Sequence, residues 1–138
     1  MNKQLEEKFN LVDFIKKQDL LDISDDFILV NGEKMFFFLN KELLPTLHLL
    51  LVKNNVLKKV TVDMGAVKFV IKGADIMRPG IKTLDEGIAK DQLIVIVDET
   101  HGKPLAVGRM LFSGEEVLLM VSGKVIKNIH YIGDDIWK

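Results

Sequence analysis

The chain has 138 residues, of which 48% are hydrophobic, so it is long enough to bury a core as one ordinary domain or as two small ones. It contains no cysteine, which excludes disulfides, thiolate nucleophiles and cysteine-ligated zinc or iron–sulfur sites. The net charge of −1 divides into −1 over residues 1–58 and zero over residues 59–138, so a chain-wide basic excess is excluded and any nucleic-acid surface has to be local.

The first predicted element is a modest amphipathic helix within Lys3–Lys17. Its apolar residues Leu5, Phe9 and Val12 recur at the i, i+4 and i+7 spacing of a helix. The N-terminus carries acidic residues where a secretory signal would carry basic ones, and no window is apolar enough to span a membrane. We therefore expect a cytoplasmic protein that does not contact membranes.

The clearest local signal in this half is the string FILVNGEKMFFFLN. Its Asn31-Gly32 dipeptide tolerates the positive φ angles of a tight hairpin turn, and it is flanked by two apolar runs. We predict an antiparallel hairpin with strands at Phe27–Val30 and Lys34–Leu39.

A second helix is predicted in the string LLPTLHLLLVKNN. Pro45 suits the first turn of a helix because its missing N–H would be unpaired there in any case. Asn54-Asn55 predicts the C-terminal end. The buried stripe consists of Leu47, Leu50 and Leu51.

The rhythm of the sequence changes at Lys58-Lys59, from helix and hairpin spacing to short strands separated by glycines. We therefore predict two domains, residues 1–58 as a small α/β module and residues 59–138 as a second domain. No Gly/Ser or Pro linker separates them, so we expect the two domains to share an apolar interface.

The second domain begins with KVTVD, which alternates as a strand does. A short helix follows in GAVKFVIKG, where Asp63 is the expected N-cap and Gly73 the expected end. Its inward-facing residues are expected to be Ala66, Phe69 and Val70. Ile76-Met77 is then expected to be extended and closed by the turn Arg78-Pro79-Gly80.

The remaining elements are mostly strands. QLIVIVD is typical of a buried strand, and Glu99–Lys103 joins it to PLAVGRMLFS as a hairpin. SGEEVLLMV predicts a helical turn capped by Ser113, and GKVIKNIHYIGDDIW predicts one or two final strands. Many short strands with few helices indicate a small β-barrel, so the fold class is α+β.

The string VDMGAVKFVIKGADIMRPGI, at Val62–Ile81, resembles the signature of PUA domains. QLIVIVDETHGKPLAVGRMLFS and IHYIGDDIW follow in the order and spacing of that family. VNGE at Val30–Glu33, the run Phe36–Phe38 and PTLHLL at Pro45–Leu50 extend the resemblance. Together they are similar to the group of the malignant-T-cell-amplified-sequence protein, ligatin (initiation factor 2D) and small archaeal relatives.

This resemblance implies a C-terminal PUA-type β-barrel after a pre-PUA module, and RNA recognition in a groove. One side of the groove is expected at the start of the helix, the floor at the turn that follows it, and the far wall at the last strand. The residues implied in RNA binding are Met64, Gly65, Ala66, Lys68, Lys72, Arg78, Pro79, Gly80 and Tyr131. Glycine at position 65 lets a backbone approach closely, and N–H groups at a helix start point at a bound anion.

Several of these residues can also be interpreted as having a purely structural role. Gly73 and Gly80 fit simple turn glycines, and the lysine pair fits a solvated helix face. Arg78 fits a brace that pairs with Asp75 or with a backbone carbonyl. Tyr131 fits a core position as well as a base-stacking one.

Catalytic chemistry is not indicated. His130 with Asp134 and Asp135 lacks a third strong metal ligand, and no serine lies in a nucleophile elbow. We expect no enzyme activity, metal or cofactor.

The expected function is therefore that of an RNA-binding accessory protein of translation. Its partners would be structured RNA, such as a tRNA end or ribosomal RNA, the small ribosomal subunit and a translation-factor protein. The Phe36–Phe38 strand would add a second contact surface. Two alternatives stay open, a targeting subunit for an RNA-modification enzyme and a protein-interaction adaptor that does not bind RNA.

Overall fold

The computed structural model describes residues 1–53 and 55–138, which divide into two compact units, Met1–Val56 and Leu57–Lys138. The first unit contains α1 (Asn2–Phe9), β1 (Leu21–Ile23), β2 (Phe27–Val30), β3 (Glu33–Leu39), β4 (Glu42–Pro45) and α2 (Leu47–Val52). Its four strands pair antiparallel in chain order. The apolar interface expected between the two domains stays a prediction.

The hairpin of β2 and β3 is confirmed within one residue. Asn31 and Gly32 have φ angles of 55° and 83°, the left-handed backbone that this dipeptide accepts at low cost. The strand β3 is less exposed than a contact surface requires, because Phe36 and Phe37 are 0% and 2% exposed. The Phe36 ring stacks on Phe9 with centroids 5.7 Å apart. The run of phenylalanines therefore belongs mainly to the core of this unit, and its expected role as a contact surface is wrong for these two residues.

The predicted first helix is shorter than the sequence pattern suggested. It ends at Phe9, and Asn10 adopts a left-handed φ of 57° that stops the helical hydrogen bonding. Leu5 and Phe9 are buried as expected, but Val12 lies beyond the helix and is 62% exposed. The i, i+7 assignment of Val12 is therefore wrong.

The start of α2 also differs from the expectation. Pro45 is the last residue of β4, and Thr46 is the N-cap, its hydroxyl accepting a hydrogen bond from the Leu49 N–H. The same hydroxyl donates to the Lys34 carbonyl at 2.6 Å, which ties the helix start to β3. This one-residue shift puts Leu49 in the core and leaves Leu51 41% exposed. The helix ends at Val52, and the expected stop at Asn54 lies outside the described residues.

The second unit contains β5 (Lys58–Val62), α3 (Met64–Val70), β6 (Ile76–Met77), a 3₁₀ turn (Arg78–Gly80), β7 (Ile81–Leu84), β8 (Leu93–Asp98), β9 (Pro104–Met110), α4 (Gly114–Leu119) and β10 (Lys124–Tyr131). The six-stranded sheet has the order β6-β10-β9-β8-β5-β7, in which only the β5–β8 pair is parallel among the described residues. It curls into a half-barrel around the core of the unit. The α+β class is confirmed.

Two loops of this half-barrel are held by side-chain caps. Ser113 and Glu116 form a reciprocal capping box at the start of α4, as the sequence predicted for Ser113. The Asp98 carboxylate accepts hydrogen bonds from the N–H groups of Thr100, His101 and Lys103 in the β8–β9 turn. The bond from His101 is the largest reason that the pKa of Asp98 lies below its ordinary value.

No helix in the described part of the chain is both long and apolar enough to cross a membrane.

The core of the half-barrel is built from residues of all its long strands, including Val60, Ile94, Ile96, Ala106 and Ile126, each 0% exposed. Because α3 and the 3₁₀ turn pack at the rim of this core, their positions are fixed by the sheet beneath them.

Candidate nucleic-acid interface

A groove of about 570 Å³ lies between α3 on one side and β6 with the 3₁₀ turn on the other. It is lined by Asp63, Gly65, Ala66, Phe69, Val70, Ala74, Asp75, Ile76, Met77, Pro79, Gly80 and Lys124. Of the residues predicted for the site, the structure brings four together here: Gly65, Ala66, Pro79 and Gly80. The other five, Met64, Lys68, Lys72, Arg78 and Tyr131, lie outside this lining.

Close backbone packing sets the width of the groove. The Asp63 N–H donates to the Gly80 carbonyl at 3.0 Å, which fixes the start of α3 against the 3₁₀ turn. A Cβ added at Gly80 would lie 3.1 Å from the Ala66 Cβ, closer than side chains normally approach. Gly80 therefore allows this close approach, and a Cβ at this position would require the Ala66 side to shift by a few tenths of an ångström.

The start of α3 does not offer an open anion site. The Asp63 carboxylate accepts from the Ala66 N–H at 2.8 Å, and the Glu99 carboxylate accepts from the Met64 N–H at 3.1 Å. Two carboxylates thus already occupy the position where a phosphate would bind to the helix start. The N–H groups of Met64 and Ala66 thus already have carboxylate partners, and the expected role of these two residues in RNA binding stays a prediction.

An aromatic ring stands in the groove instead. Phe69 was expected to face the core, but it is 56% exposed and lines the groove, because α3 turns Val70 inward. The Lys68 Nζ lies 5.2 Å from the centre of the Phe69 ring, so Lys68 is at the rim. Met77 on β6 also lines the groove and is 50% exposed. Lys72 is exposed but lies in the turn after α3, which ends at Val70, so it does not share a helix face with Lys68.

Arg78 acts as a brace in this structure. Its Nε donates to the Val117 carbonyl at 2.7 Å, and its Nη1 makes a longer bond of 3.4 Å to the Ile81 carbonyl. Its backbone N–H donates to the Gly123 carbonyl at 2.8 Å. The sequence left two kinds of partner open, Asp75 and a backbone carbonyl, and among the described residues the Arg78 guanidinium donates to backbone carbonyls. Arg78 thus links the 3₁₀ turn to α4.

Tyr131 packs behind the groove. A Cβ added at Gly73, whose φ is +91°, would lie 2.8 Å from the Tyr131 Cε1. The Tyr131 ring therefore rests on the Gly73 backbone, is half-buried and packs against the core. This geometry matches the core reading of Tyr131 that the sequence left open.

One end of the groove is formed by a charged cluster that the sequence did not predict. The Lys124 Nζ lies 3.0 Å from the Asp75 carboxylate, which also accepts from the Asn128 N–H at 2.8 Å. Partial burial raises the pKa of Asp75, but the hydrogen bonds from Asn128 and Lys124 outweigh it and hold the pKa below its ordinary value. Lys124 follows Gly123 and lies 53 residues after Ile71, the C-cap residue of α3. No local pattern in the sequence therefore connects it to α3.

His130 is buried at the end of β10, with its Nδ1 2.8 Å from the Asp134 carboxylate. Asp134 also accepts from the N–H groups of Tyr131 and Trp137. The hydrogen bonds of His130 and Asp134 thus stabilise the C-terminal turn. Within the described residues, no three His, Cys, Asp or Glu side chains are grouped to hold a metal ion.

The groove as a whole is a mainly apolar slot with a cation, Lys124 paired with Asp75, at one end. An exposed ring at Phe69 and a thioether at Met77 offer stacking contacts to a flat group. Lys124 offers one charge-assisted donor. This arrangement suits an unpaired nucleotide better than the backbone of a continuous duplex.

Comparison with known proteins gives a consistent family. Residues 58–132 match the PUA domain family. An uncharacterized protein of Methanocaldococcus jannaschii is 45% identical, and the alignment covers 99% of this chain and 88% of that protein. Translation machinery-associated protein 20 of Eremothecium gossypii is 35% identical over 78% of this chain and 63% of that protein.

Malignant T-cell-amplified sequence 1 of Rattus norvegicus is 37% identical over 81% of this chain and 64% of that protein. The chain thus spans less than two thirds of the length of these two eukaryotic relatives. Among solved structures, a conserved PUA domain protein from Thermoplasma acidophilum aligns with a TM-score of 0.82 and 27% identity. That alignment covers 98% of this chain and 88% of the other.

Proposed function

The chain belongs to the PUA-domain family, in the group of translation machinery-associated protein 20 and the malignant T-cell-amplified sequence proteins, and on this premise we propose that it is a non-enzymatic RNA-binding accessory protein of translation. The RNA would be structured, such as a tRNA end or small-subunit ribosomal RNA. The whole-protein partners, the small ribosomal subunit and a translation factor, are part of the proposal.

The observation that carries this proposal is the groove with Phe69 exposed on one wall and Met77 exposed on the other. Sequence-specific RNA binding usually targets unpaired bases that stack on aromatic side chains. Such stacking is worth about 1–3 kcal/mol per base. A slot of about 570 Å³ has room for the flat group that these side chains would contact.

The charge distribution supports an RNA end more than a long duplex. Lys124 is the one basic side chain among the described residues that line the groove, and the lining also includes two carboxylates, Asp63 and Asp75. Duplex recognition depends on many neutralised phosphates and gives a steep salt dependence. A ligand with one or two unpaired nucleotides beside a short stem needs fewer such contacts.

The link to translation is supported by the name of a relative, translation machinery-associated protein 20, at 35% identity. No catalytic constellation accompanies the groove in the described residues, since its titratable groups are engaged in capping and in one ion pair. We propose an accessory role rather than chemistry on the RNA.

The proposal is tested with a hairpin RNA that ends in a four-nucleotide unpaired 3′ tail, titrated by fluorescence anisotropy. Phe69→Ala should weaken binding by about 1–3 kcal/mol, because it removes the stacking ring. The melting temperature should change little, since Phe69 is 56% exposed.

Leu119→Ala is the matched control, because Leu119 is 87% exposed and lies outside the groove lining. It should leave the affinity unchanged. A blunt-ended hairpin should bind more weakly than the tailed one. If Phe69→Ala and Leu119→Ala bind as well as the unaltered chain, the groove is not the RNA site. If the unaltered chain does not bind either RNA, the adaptor alternative replaces this function.

A further inference from the structure

The four-stranded sheet of the first unit has one open edge within the described residues. The strand β1 (Leu21–Ile23) ends the strand order β1-β2-β3-β4, and all three of its residues are exposed. At the other edge, β4 ends with Leu44 and Pro45, which are both buried. Pro45 also has no N–H to offer to a further strand. The edge that can accept another strand is therefore the one at β1.

The backbone groups of β1 alternate between β2 and this open edge. The Ser24 N–H, directly after β1, donates to the Phe27 carbonyl of β2 at 2.9 Å. Alternate residues of an antiparallel strand turn their backbone groups to the same side, so those of Asp22 also face β2. The N–H and C=O groups of Leu21 and Ile23 therefore point away from β2. In the part of the chain that the structure describes, no other strand pairs with them, and such a row is a template for pairing with another chain.

The core face of the sheet continues onto β1. Leu21 lies opposite Val30 and Ile23 lies opposite Ile28, and opposite residues share a face of the sheet. Val30 and Ile28 are 8% and 0% exposed, whereas Leu21 and Ile23 are 40% and 53% exposed. An added strand would bury these two side chains if it brought apolar residues onto the same face.

The other face of β1 determines the charge of the added strand. Asp22 lies on that face, is exposed, and among the described residues makes no ion pair or side-chain hydrogen bond. Leu20, two residues earlier on the same face, is 77% exposed. A lysine or arginine opposite Asp22 would pair with its carboxylate and cover Leu20 with its methylene stem. A second copy of this chain fits less well, because the register that pairs all of β1 with itself places Asp22 opposite Asp22.

We propose that β1 is a docking edge for a segment of a partner protein that adds a fifth strand to this sheet and alternates apolar with basic residues. The apolar residues of the segment cover Leu21 and Ile23, and a basic residue faces Asp22. Only two residues of β1 offer backbone groups, so the contact alone is weak and suits a partner that is also held elsewhere. This inference goes beyond the proposed function, since it assigns a protein partner to the first unit and does not involve the groove.

The test titrates the whole chain with a fluorescein-labelled synthetic peptide of sequence KVKVKVK, in which basic and apolar residues alternate. The peptide KKKKVVV has the same composition and charge without the alternation, so it is the control for attraction by charge alone. KVKVKVK should bind at least about fivefold more tightly, since only this peptide gains the cross-strand pairs. On its binding, the amide protons of Leu21 and Ile23 should exchange more slowly with solvent in NMR spectra, because they become hydrogen-bonded.

Two substitutions separate the contribution of charge from that of the backbone. Asp22→Lys should weaken the binding of KVKVKVK roughly three- to tenfold, because it replaces an opposite-charge pair with like charges. Glu6→Lys is the matched control, since Glu6 is an exposed acid on α1 of the same unit and the change in net charge is the same. Ile23→Pro removes an outward N–H and leaves the bonds to β2, so it should weaken binding at least about threefold and change the melting temperature little.

Equal affinity for the two peptides would overturn the proposal, and so would amide exchange at Leu21 and Ile23 that KVKVKVK leaves unchanged. Equal losses for Asp22→Lys and Glu6→Lys would also overturn it, because binding would then follow net charge alone. If the unaltered chain is a dimer in size-exclusion chromatography and Ile23→Pro is a monomer, a second copy occupies the edge in place of a partner. Ile23→Pro should bind the tailed hairpin RNA as the unaltered chain does, and a loss of affinity there would assign the edge to RNA and overturn the protein partner.

Discussion

Replacing Arg78 by alanine separates the two roles that the sequence allowed for this residue. The guanidinium donates to the Val117 carbonyl at 2.7 Å and, more weakly, to the Ile81 carbonyl at 3.4 Å. A hydrogen bond from a charged donor contributes about 1.5–3 kcal/mol to stability. The Val117 carbonyl also accepts from the Met120 N–H at 3.0 Å, so it would keep a partner after the substitution. The loss should therefore lie near the lower end, at about 1.5 kcal/mol.

The assay pairs two measurements on Arg78→Ala. Urea denaturation should show a lower free energy of unfolding, with an unchanged m-value because the same surface is exposed on unfolding. Binding of the tailed hairpin RNA, expressed per folded molecule, should change less than about threefold, since the guanidinium is directed at α4 and is not in the groove lining. Arg78→Lys should not restore stability, because a lysine cannot reproduce the two bonds of a guanidinium. Unchanged stability with an affinity loss of about tenfold would refute the bracing role.

Three further predictions follow from the packing and the pKa shifts. Gly73→Ala should lower the free energy of unfolding by about 2–4 kcal/mol in urea denaturation, because residue 73 has a left-handed backbone and the new Cβ would meet Tyr131. Gly102→Ala is the control, since Gly102 has a φ of +64° and no neighbour within 4 Å. It should cost only about 1 kcal/mol. Asp98 has a lowered pKa in the fold, so its contribution to stability is present above the unfolded pKa and is lost as pH falls through the folded pKa. Thermal melts should therefore show that Asp98→Asn is destabilising at pH 7 and that the difference shrinks below about pH 4. The slope of log affinity against log salt for the unaltered chain should correspond to roughly two to four neutralised phosphates; a slope near zero would remove the phosphate contacts altogether.

Much of the second unit could be predicted from its sequence because its signals are local. The Asp63 cap, the Ser113 cap, the turn Arg78–Gly80 and the hairpin through Glu99–Lys103 each depend on a few neighbouring residues. The strand Leu93–Asp98 begins with an unbroken apolar run, Leu93–Val97, which is enough to identify a buried strand. Strand β7 was not predicted, because it is only four residues long and two of them, Lys82 and Thr83, are exposed.

The first unit shows where local patterns fail. The extent of α1 depends on Asn10 and on a pair of hydrogen bonds between the Asn2 side chain and the Ile15 backbone. Neither could be predicted from apolar spacing. The same holds for Pro45, whose position in β4 is decided by its pairing with Phe36 across the sheet. Tertiary pairing here overrides the preference of proline for a helix start.

The candidate site was predicted in outline and differs in chemical detail. The helix start at Gly65-Ala66 and the turn at Pro79-Gly80, implied as one side and the floor of the groove, both line it, and the last strand, implied as the far wall, contributes Lys124. The cations were harder to place, because Lys124 reaches the groove only through the pairing of β10 with β6. Phe69 was misplaced for a related reason, since the apolar run around it fits more than one helix face. A motif can thus locate a site while long-range pairing decides which side chains line it.

The most direct test of the account is ultraviolet cross-linking of the whole chain to RNA in a cell lysate at low salt, with sequencing of the bound RNA and mass spectrometry of the cross-linked peptides. The account predicts small-subunit ribosomal RNA or tRNA, cross-linked within α3 and β6 around Phe69 and Met77, with both signals weakened by Phe69→Ala and left intact by Leu119→Ala. Recovery of guide RNA together with a modification enzyme would favour the targeting alternative. An RNA yield no higher than that of the Phe69→Ala variant, or cross-links spread evenly over the chain, would contradict the account.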